Sequence, residues 1–531
     1  MSFWSRIFGR RSKPVQPTYR AIGIYTEPNA TVKLDAVGEG VTNYAGYYVW
    51  PKVSTLPGAE HIWVTAVGFG PYSMHIDLTP GPVNQDIFVG KPRWDGSKST
   101  DINLPALVSL APVRVKRTGI VLAESRSVRD NQGLFHPLGL SLFWAMQGWK
   151  NEREHFKRNA EWAAAKKFDY LRILTEVGWT GREIDPTSPQ WSDWGTVLRE
   201  VMDYCYNDLG LRLELTLIGK GTSTKPIWLA QEVSNIIGEE RSHQVIDIEC
   251  ANEYTVHGGP SIDQMKLMAR ELRARTPNII ALSSPGDWDA LKAATLDVGI
   301  KGFAVHSDRG SGDYKWRQVR QVYDFKNADP FVVFNNEPAG PGSSVSTNDS
   351  PLQLAMMRAL GVIMGGAGFV LHTGTGVFGD GKGHPTAGPR PANFDEIANI
   401  DAIVAALRGI DVLLPDGVEN WKVQISRNTS SGSRVSPFTP HNHWEGPSGD
   451  GVNKAYSSIA SDGRWIQMPT GVRGHVVLTA SYPLRDVVVY DPLSLQPREG
   501  VKTSYGQGET LDLPGGGTDA MVAYIIQGHR A

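Results

Sequence analysis

The chain has 531 residues, which at roughly 150 residues per domain suggests three or four domains. Lys+Arg of 53 against Asp+Glu of 55 gives a formal net charge of -2. That leaves no global basic field for a nucleic-acid backbone and sets nucleic acid aside as a partner. Two cysteines, Cys205 and Cys250, exclude a disulfide framework and a cysteine zinc site; Cys250 reads as a small buried hydrophobe.

Residues 1–18 read as a basic flexible tail. Phe3, Trp4, Ile7 and Phe8 could share a helix face ahead of Arg10, Arg11 and Lys13, but the apolar patch is too short for a signal h-region. No run of about 18 apolar residues follows anywhere, so no membrane span is expected. Residues 19–125 read as an N-terminal β-sandwich, from short runs such as YYVWPKV, HIWVTAVGF and SMHIDL separated by Gly, Pro and Asn turns.

From 126 to 415 the pattern changes to apolar runs alternating with amphipathic segments. GLSLFWAM leads to NEREHFKRNAEWAAAKK and YLRILTE, and the series continues through LRLELTLIG, VIDIECANE, NIIALSS, GFAVHS, PFVVFNNE and GFVLHTG. Apolar strands separated by helices imply a parallel sheet covered by helices. Eight strands in this length fit an α/β fold of the (β/α)8 TIM barrel type. Residues 416–531, with WKVQISR, RWIQMPT, HVVLTASY, DVVVYDP and AMVAYIIQG, read as a C-terminal β-sandwich.

Reactive groups of such barrels lie at the C-terminal strand ends. Those ends carry Arg172 and Glu176 on the second strand, Asn252 and Glu253 on the fourth, and His306 on the sixth. Asn335, Asn336 and Glu337 follow on the seventh, and His372 on the eighth. A period of two places Glu253 on one face with Ala251, Glu249 and Asp247, and Glu337 with Asn335 and Val333. Val332 and Phe334 are then expected to point outward. Asp247 and Glu249, lying deeper, read as interior polar groups. Glu176 is equally a substrate contact or a solvated loop residue, and His306 and His372 equally ligand-facing or hydrogen-bonded core histidines. Two carboxylates facing one cavity can divide glycoside hydrolysis between an ionised nucleophile and a protonated acid. Trp144, Trp149, Trp179 and Trp288 lie near strand ends, where flat aromatic faces could stack on sugar rings.

Other motifs lack their context. Gly374 to Gly379 fits G-x-G-x-x-G but has no following helix for a pyrophosphate. His441 and His443 make a pair without a third ligand. No metal and no cofactor are expected.

ANEY at 251–254 and FNNEP at 334–338, with Arg172 in YLRIL and the entry NQGLFHPLGLSLFW, resemble the clan A glycoside hydrolases, the cellulase- and mannanase-like superfamily. The resemblance implies Glu253 as acid/base and Glu337 as nucleophile. It implies that Asn252 holds the sugar 2-hydroxyl, that Arg172 keeps the nucleophile ionised, and that His306 lies near the acid/base. His372 or Phe378 would stand for the tryptophan common on the eighth strand, and Tyr314 for a tyrosine after the sixth. The expectation is a retaining hydrolase of a poly- or oligosaccharide, endo-acting. Its rival is a non-catalytic carbohydrate-binding or virion-associated protein on a barrel scaffold. The lack of a signal peptide suggests a cytoplasmic protein, or one released by lysis or carried on a viral particle. Oligomeric state is left open.

Overall fold

The computed structural model describes the backbone of the strands between Tyr19 and Ile102, and residues 116–531 apart from 180–182, 222–224, 285–287, 307–330, 339, 342–348, 375–390, 416, 428–435, 441–453, 470–475 and 514–523. The expectations placed on the tail, on Tyr314, on Phe378, on the 374–379 loop as a whole and on His441 and His443 lie outside the described residues. So does the ring of Trp288.

The chain forms two compact units, Met1–Val115 and Lys116–Ala531. In the first, Tyr19–Tyr25 pairs with Tyr47–Ser54 and Asn84–Phe88. A five-stranded sheet there runs Gly38–Val41, Thr31–Leu34, Ala59–Thr65, Tyr72–Asp77, Asp101–Ile102.

The second unit is built on a closed barrel of eight parallel strands in chain order. These are β1 (Leu138–Ser141), β2 (Tyr170–Glu176), β3 (Arg212–Ile218), β4 (Val245–Ala251), β5 (Ile279–Ser284), β6 (Gly302–Val305), β7 (Val332–Asn335) and β8 (Gly368–Leu371). The ring closes where Leu138, Gly139 and Leu140 pair with Phe369, Val370 and Leu371. Helices α1 (Ala145–Asn151), α2 (Arg153–Ala165), α3 (Trp194–Asp203), α4 (Pro226–Arg241), α5 (Ile262–Arg275), α6 (Trp288–Val298), α7 (Pro351–Ile363) and α8 (Ile400–Leu413) lie between and after the strands. In α5, Ser261 and Gln264 form a capping box that satisfies the first free N–H groups. Met265, Met268, Ala269 and Leu272 then turn one stripe inward.

A small antiparallel sheet of Leu122–Glu124, Ser127–Asp130 and Gly133–Phe135 spans the expected 125/126 boundary. Val121, just before it, and its Val128 join Tyr170, Ile246, Ile279, Val332, Phe334, Ala367 and Val370 in one apolar cluster near the starts of the strands, so that this small sheet is a plug at that end of the barrel. Glycine makes room there. A Cβ at Gly139 would stand 2.4 Å from the Tyr170 ring, and one at Gly368 would stand 2.4 Å from Phe334.

This cluster corrects the facing expected on β7. Val332 and Phe334 pack with the plug, whereas Val333 joins the core beneath the helices. Asn336, two residues beyond Phe334, sends its amide to Glu214 inside the barrel. Pairing ends at Asn335, so strict alternation does not extend to Glu337.

After α8, a five-stranded antiparallel sheet runs Lys422–Arg427, Lys454–Ile459, Arg464–Pro469, Ile525–Arg530, Leu484–Tyr490. A three-stranded sheet holds Phe438–Pro440, Val476–Ala480 and Thr510–Leu513. Phe438, Trp465, Leu478, Leu511 and Ile526 share one core drawn from both sheets.

Candidate active site

Arg172, on β2, organises the open end of the barrel. It pairs in register with Glu214 of β3, which pairs in turn with Asp247 of β4. Its guanidinium is wholly buried, and a buried charge needs close partners. Nη1 donates to Glu337 Oε1 at 2.6 Å, and Nη2 to Glu249 Oε2 at 2.7 Å and Asn252 Oδ1 at 2.8 Å. Nε lies 2.9 Å from Glu214 Oε1. Burial alone would make Arg172 easier to deprotonate. The charges of Glu249, Glu337 and Glu214 outweigh it and raise its pKa well above the ordinary value.

Glu253 stands just past the end of β4 with φ +41, a left-handed conformation uncommon for a residue with a side chain. That turn, rather than strand alternation, directs its carboxylate. Oε2 lies 3.1 Å from His257 Nε2 and Oε1 lies 3.4 Å from His306 Nδ1. His306 Nδ1 is also 3.8 Å from Glu337 Oε1, and its Nε2 is 3.1 Å from Glu249 Oε1. Asn252 is held between Arg172 and the Gly219 carbonyl, which accepts from its Nδ2 at 3.2 Å.

Burial and the Glu337 charge push the Glu253 carboxyl up, but hydrogen bonds from His257 and His306 outweigh them and hold it at about 2. Burial would lower His306; the Glu337 charge and hydrogen bonds to Glu249 and Glu253 raise it to about 9. Glu249 is driven down to about 2, with Arg172 and His306 overcoming its burial. Glu214 and Asp247 go the other way. Burial, with the charge of Asp247 acting on Glu214 and that of Glu249 on Asp247, raises both well above the carboxylate range.

One donor atom each from Glu253, His306 and Glu337 lies within 4.8 Å of the others. Such a set is close enough for a metal ion. Arg172 and His306, whose protonated form these carboxylates favour, face the same oxygens.

The structure brings Arg172, Asn252, Glu253, His306 and Glu337 together. His372 is buried with its ring 5.6 Å from Phe143, and Phe143 lies under the Arg172 guanidinium at 5.1 Å. Trp179, half-buried, meets His257 edge-on at 6.4 Å. Trp144 does not join them. Its ring packs on Gly148 and stacks 4.6 Å from His155 of α2, in the helix layer. Trp149 packs there too, donating to Glu200 at 2.7 Å.

Sequence reasoning missed Glu214, Phe143 and His257. A glutamate inside the apolar run LRLELTLIG was the available signal for Glu214. For His257 the signal was its spacing of four from Glu253.

No family model and no curated protein matches the chain. Among solved structures, a Bacteroides vulgatus protein with a provisional glycoside hydrolase assignment aligns over 98% of this chain and 97% of its own, at 11% identity and TM-score 0.47. A single-residue variant of GH5_18 from Streptomyces cattleya, in complex with Manβ1-4GlcNAc, aligns over 53% and 82%, at 11% identity and TM-score 0.39. A single-residue variant of trehalose-6-phosphate hydrolase from Bacillus licheniformis aligns over 75% and 99%, at 9% identity and TM-score 0.42. Likeness at this level assigns no family, and the functional reading rests on the geometry of the barrel mouth.

Proposed function

We propose that this chain is a glycoside hydrolase that cleaves a poly- or oligosaccharide with retention of configuration, Glu337 acting as nucleophile and Glu253 as acid/base. The observation that carries this reading is the pair of glutamates at the ends of β4 and β7, their facing oxygens within 4.8 Å. Retaining enzymes hold the two carboxyl groups about 5–5.5 Å apart, whereas inverting ones leave roughly 6.5–9.5 Å for a water.

The surroundings suit the two roles. Arg172 donates to Oε1 of Glu337 and stabilises the charge that a nucleophilic carboxylate needs. Glu253 starts ionised between two histidines and must gain a proton before the first step. A sugar filling the mouth displaces water, which favours the neutral carboxyl. Asn252, fixed at both ends of its amide, is read as the residue that meets the sugar 2-hydroxyl. Trp179, half-buried beside His257, offers an aromatic face for a sugar ring, with Phe143 and His372 packed behind Arg172. The β regions before and after the barrel in the chain are read as sandwich domains.

The test is release of reducing ends from a polysaccharide panel, with NMR of the first-formed anomer. Retained anomeric configuration is expected. An inverted product overturns the double displacement, and binding without release favours the carbohydrate-binding rival.

A further inference from the structure

We propose that His257 is a positioning residue for the acid/base, a role that rests on the hydrolase reading above. Its Nε2 fixes the outer oxygen of Glu253, aims Oε1 at the reacting bond and supports the carboxylate left after proton transfer.

Several restraints hold His257 in place. Its backbone N–H donates to the Glu253 carbonyl at 3.0 Å, and its own carbonyl accepts from Gly221 at 3.1 Å, tying the turn to the loop after β3. The ring stands edge-on to Trp179. Its side chain keeps 27% exposure, whereas Glu253 keeps 7%. His257 therefore lies on the outer, solvent side of the acid/base. His306 and Glu337 lie on the inner side, toward Oε1.

Among the described residues, the charged and titratable groups facing Glu253 are His257 from its own turn, His306 from the end of β6 and Glu337 from the end of β7. Arg172 of β2 and Glu249 of β4 reach it through Asn252 and His306. In the first step, the Glu253 proton passes to the glycosidic oxygen as that oxygen leaves the anomeric carbon and Glu337 bonds to it. Glu253 becomes a carboxylate with the His257 N–H on Oε2. In the second step, water bonds to the anomeric carbon, the Glu337 ester breaks, and the water proton returns to Glu253. With a donor fixed on Oε2, the proton exchange of both steps falls to Oε1, the oxygen on the inner side next to His306 Nδ1.

The test compares wild type with His257→Phe and His257→Gln on two probes carrying the sugar that wild type releases from the panel: the 2,4-dinitrophenyl glycoside and the 4-methylphenyl glycoside. Dinitrophenolate leaves without a proton, so the first probe bypasses the acid. For His257→Phe, kcat/KM on the methylphenyl glycoside should fall roughly tenfold, while kcat/KM on the dinitrophenyl glycoside, which reports the first step alone, stays within about twofold. His257→Gln, which keeps an N–H donor, should recover most of the loss. Carbon NMR of the Glu253 carboxyl should show its midpoint rising in His257→Phe, since a hydrogen bond that holds it down is gone.

Equal losses on both probes, no loss on either, or an unmoved Glu253 midpoint overturns the positioning role. Those outcomes in an active protein leave the hydrolase reading intact. A wild type that releases no sugar from any panel member removes that reading and this role with it.

Discussion

Replacing Glu337 by Gln keeps the size of the side chain and removes the nucleophilic oxygen. Turnover should fall by at least about a hundredfold while the melting temperature stays nearly unchanged; residual activity above a hundredth of wild type would reject Glu337 as nucleophile. His306 invites a different measurement. Its pKa rises from 6.5 to about 9 in the fold, so the folded state favours the protonated ring. The stability it contributes is complete below about pH 6.5 and is lost as pH rises through 9. Melting temperatures followed from pH 6 to 10 should therefore fall further in wild type than in His306→Gln. Parallel curves would show that His306 is not charged among Glu249, Glu253 and Glu337. The strand ordinals of Glu253 and Glu337 were legible because an acidic residue ending an apolar run has few places to go but the mouth. The His257 contact was not, because it depends on the left-handed backbone at Glu253, which no spacing rule specifies.

At the scale of elements, eight apolar runs could be read as parallel strands because a strand covered on the outside by helices loses its polar alternation. Facing was less legible where strands are short. β7 pairs over four residues only, and the plug beneath it, rather than the mouth, takes up Phe334. Trp144 was read toward the mouth, but α1 begins at the next residue and carries its ring into the helix layer. The plug is tied on by Asp130, which accepts from Arg117 at 2.6 and 2.8 Å and from Arg212 at 2.9 Å. The Arg212 side chain is 3% exposed. Asp130→Ala leaves that charge buried without its carboxylate, at a cost of about 3–5 kcal/mol. Urea unfolding should show a clearly lower midpoint, with kcat close to wild type because the mouth is at the other end of the barrel. An unchanged midpoint would mean that the plug adds little to the barrel.

At the scale of the molecule, the C-terminal sheet and the barrel behave as one folding unit. Trp421, Tyr456, Ile466, Met468 and Ile525 belong to the same apolar core as the barrel helices, including Leu360 and Ile363 of α7 and Leu407 and Ile410 of α8. Polar contacts cross the same seam. Ser458 donates to the Ile363 carbonyl at the end of α7, and Gln527 to the Leu413 carbonyl at the end of α8, two helix-terminal acceptors that would otherwise lack partners. Burying a large apolar side chain contributes about 1.5–3 kcal/mol. Five of them are comparable with the entire net stability of a domain, about 5–15 kcal/mol. A chain truncated after Pro415 should therefore fail to give a soluble, folded barrel. In the full chain, barrel and C-terminal sheet should melt in one calorimetric transition. A truncated chain that stays soluble and keeps the turnover of the whole would show instead that the barrel carries its own stability and that the shared core is a dispensable interface.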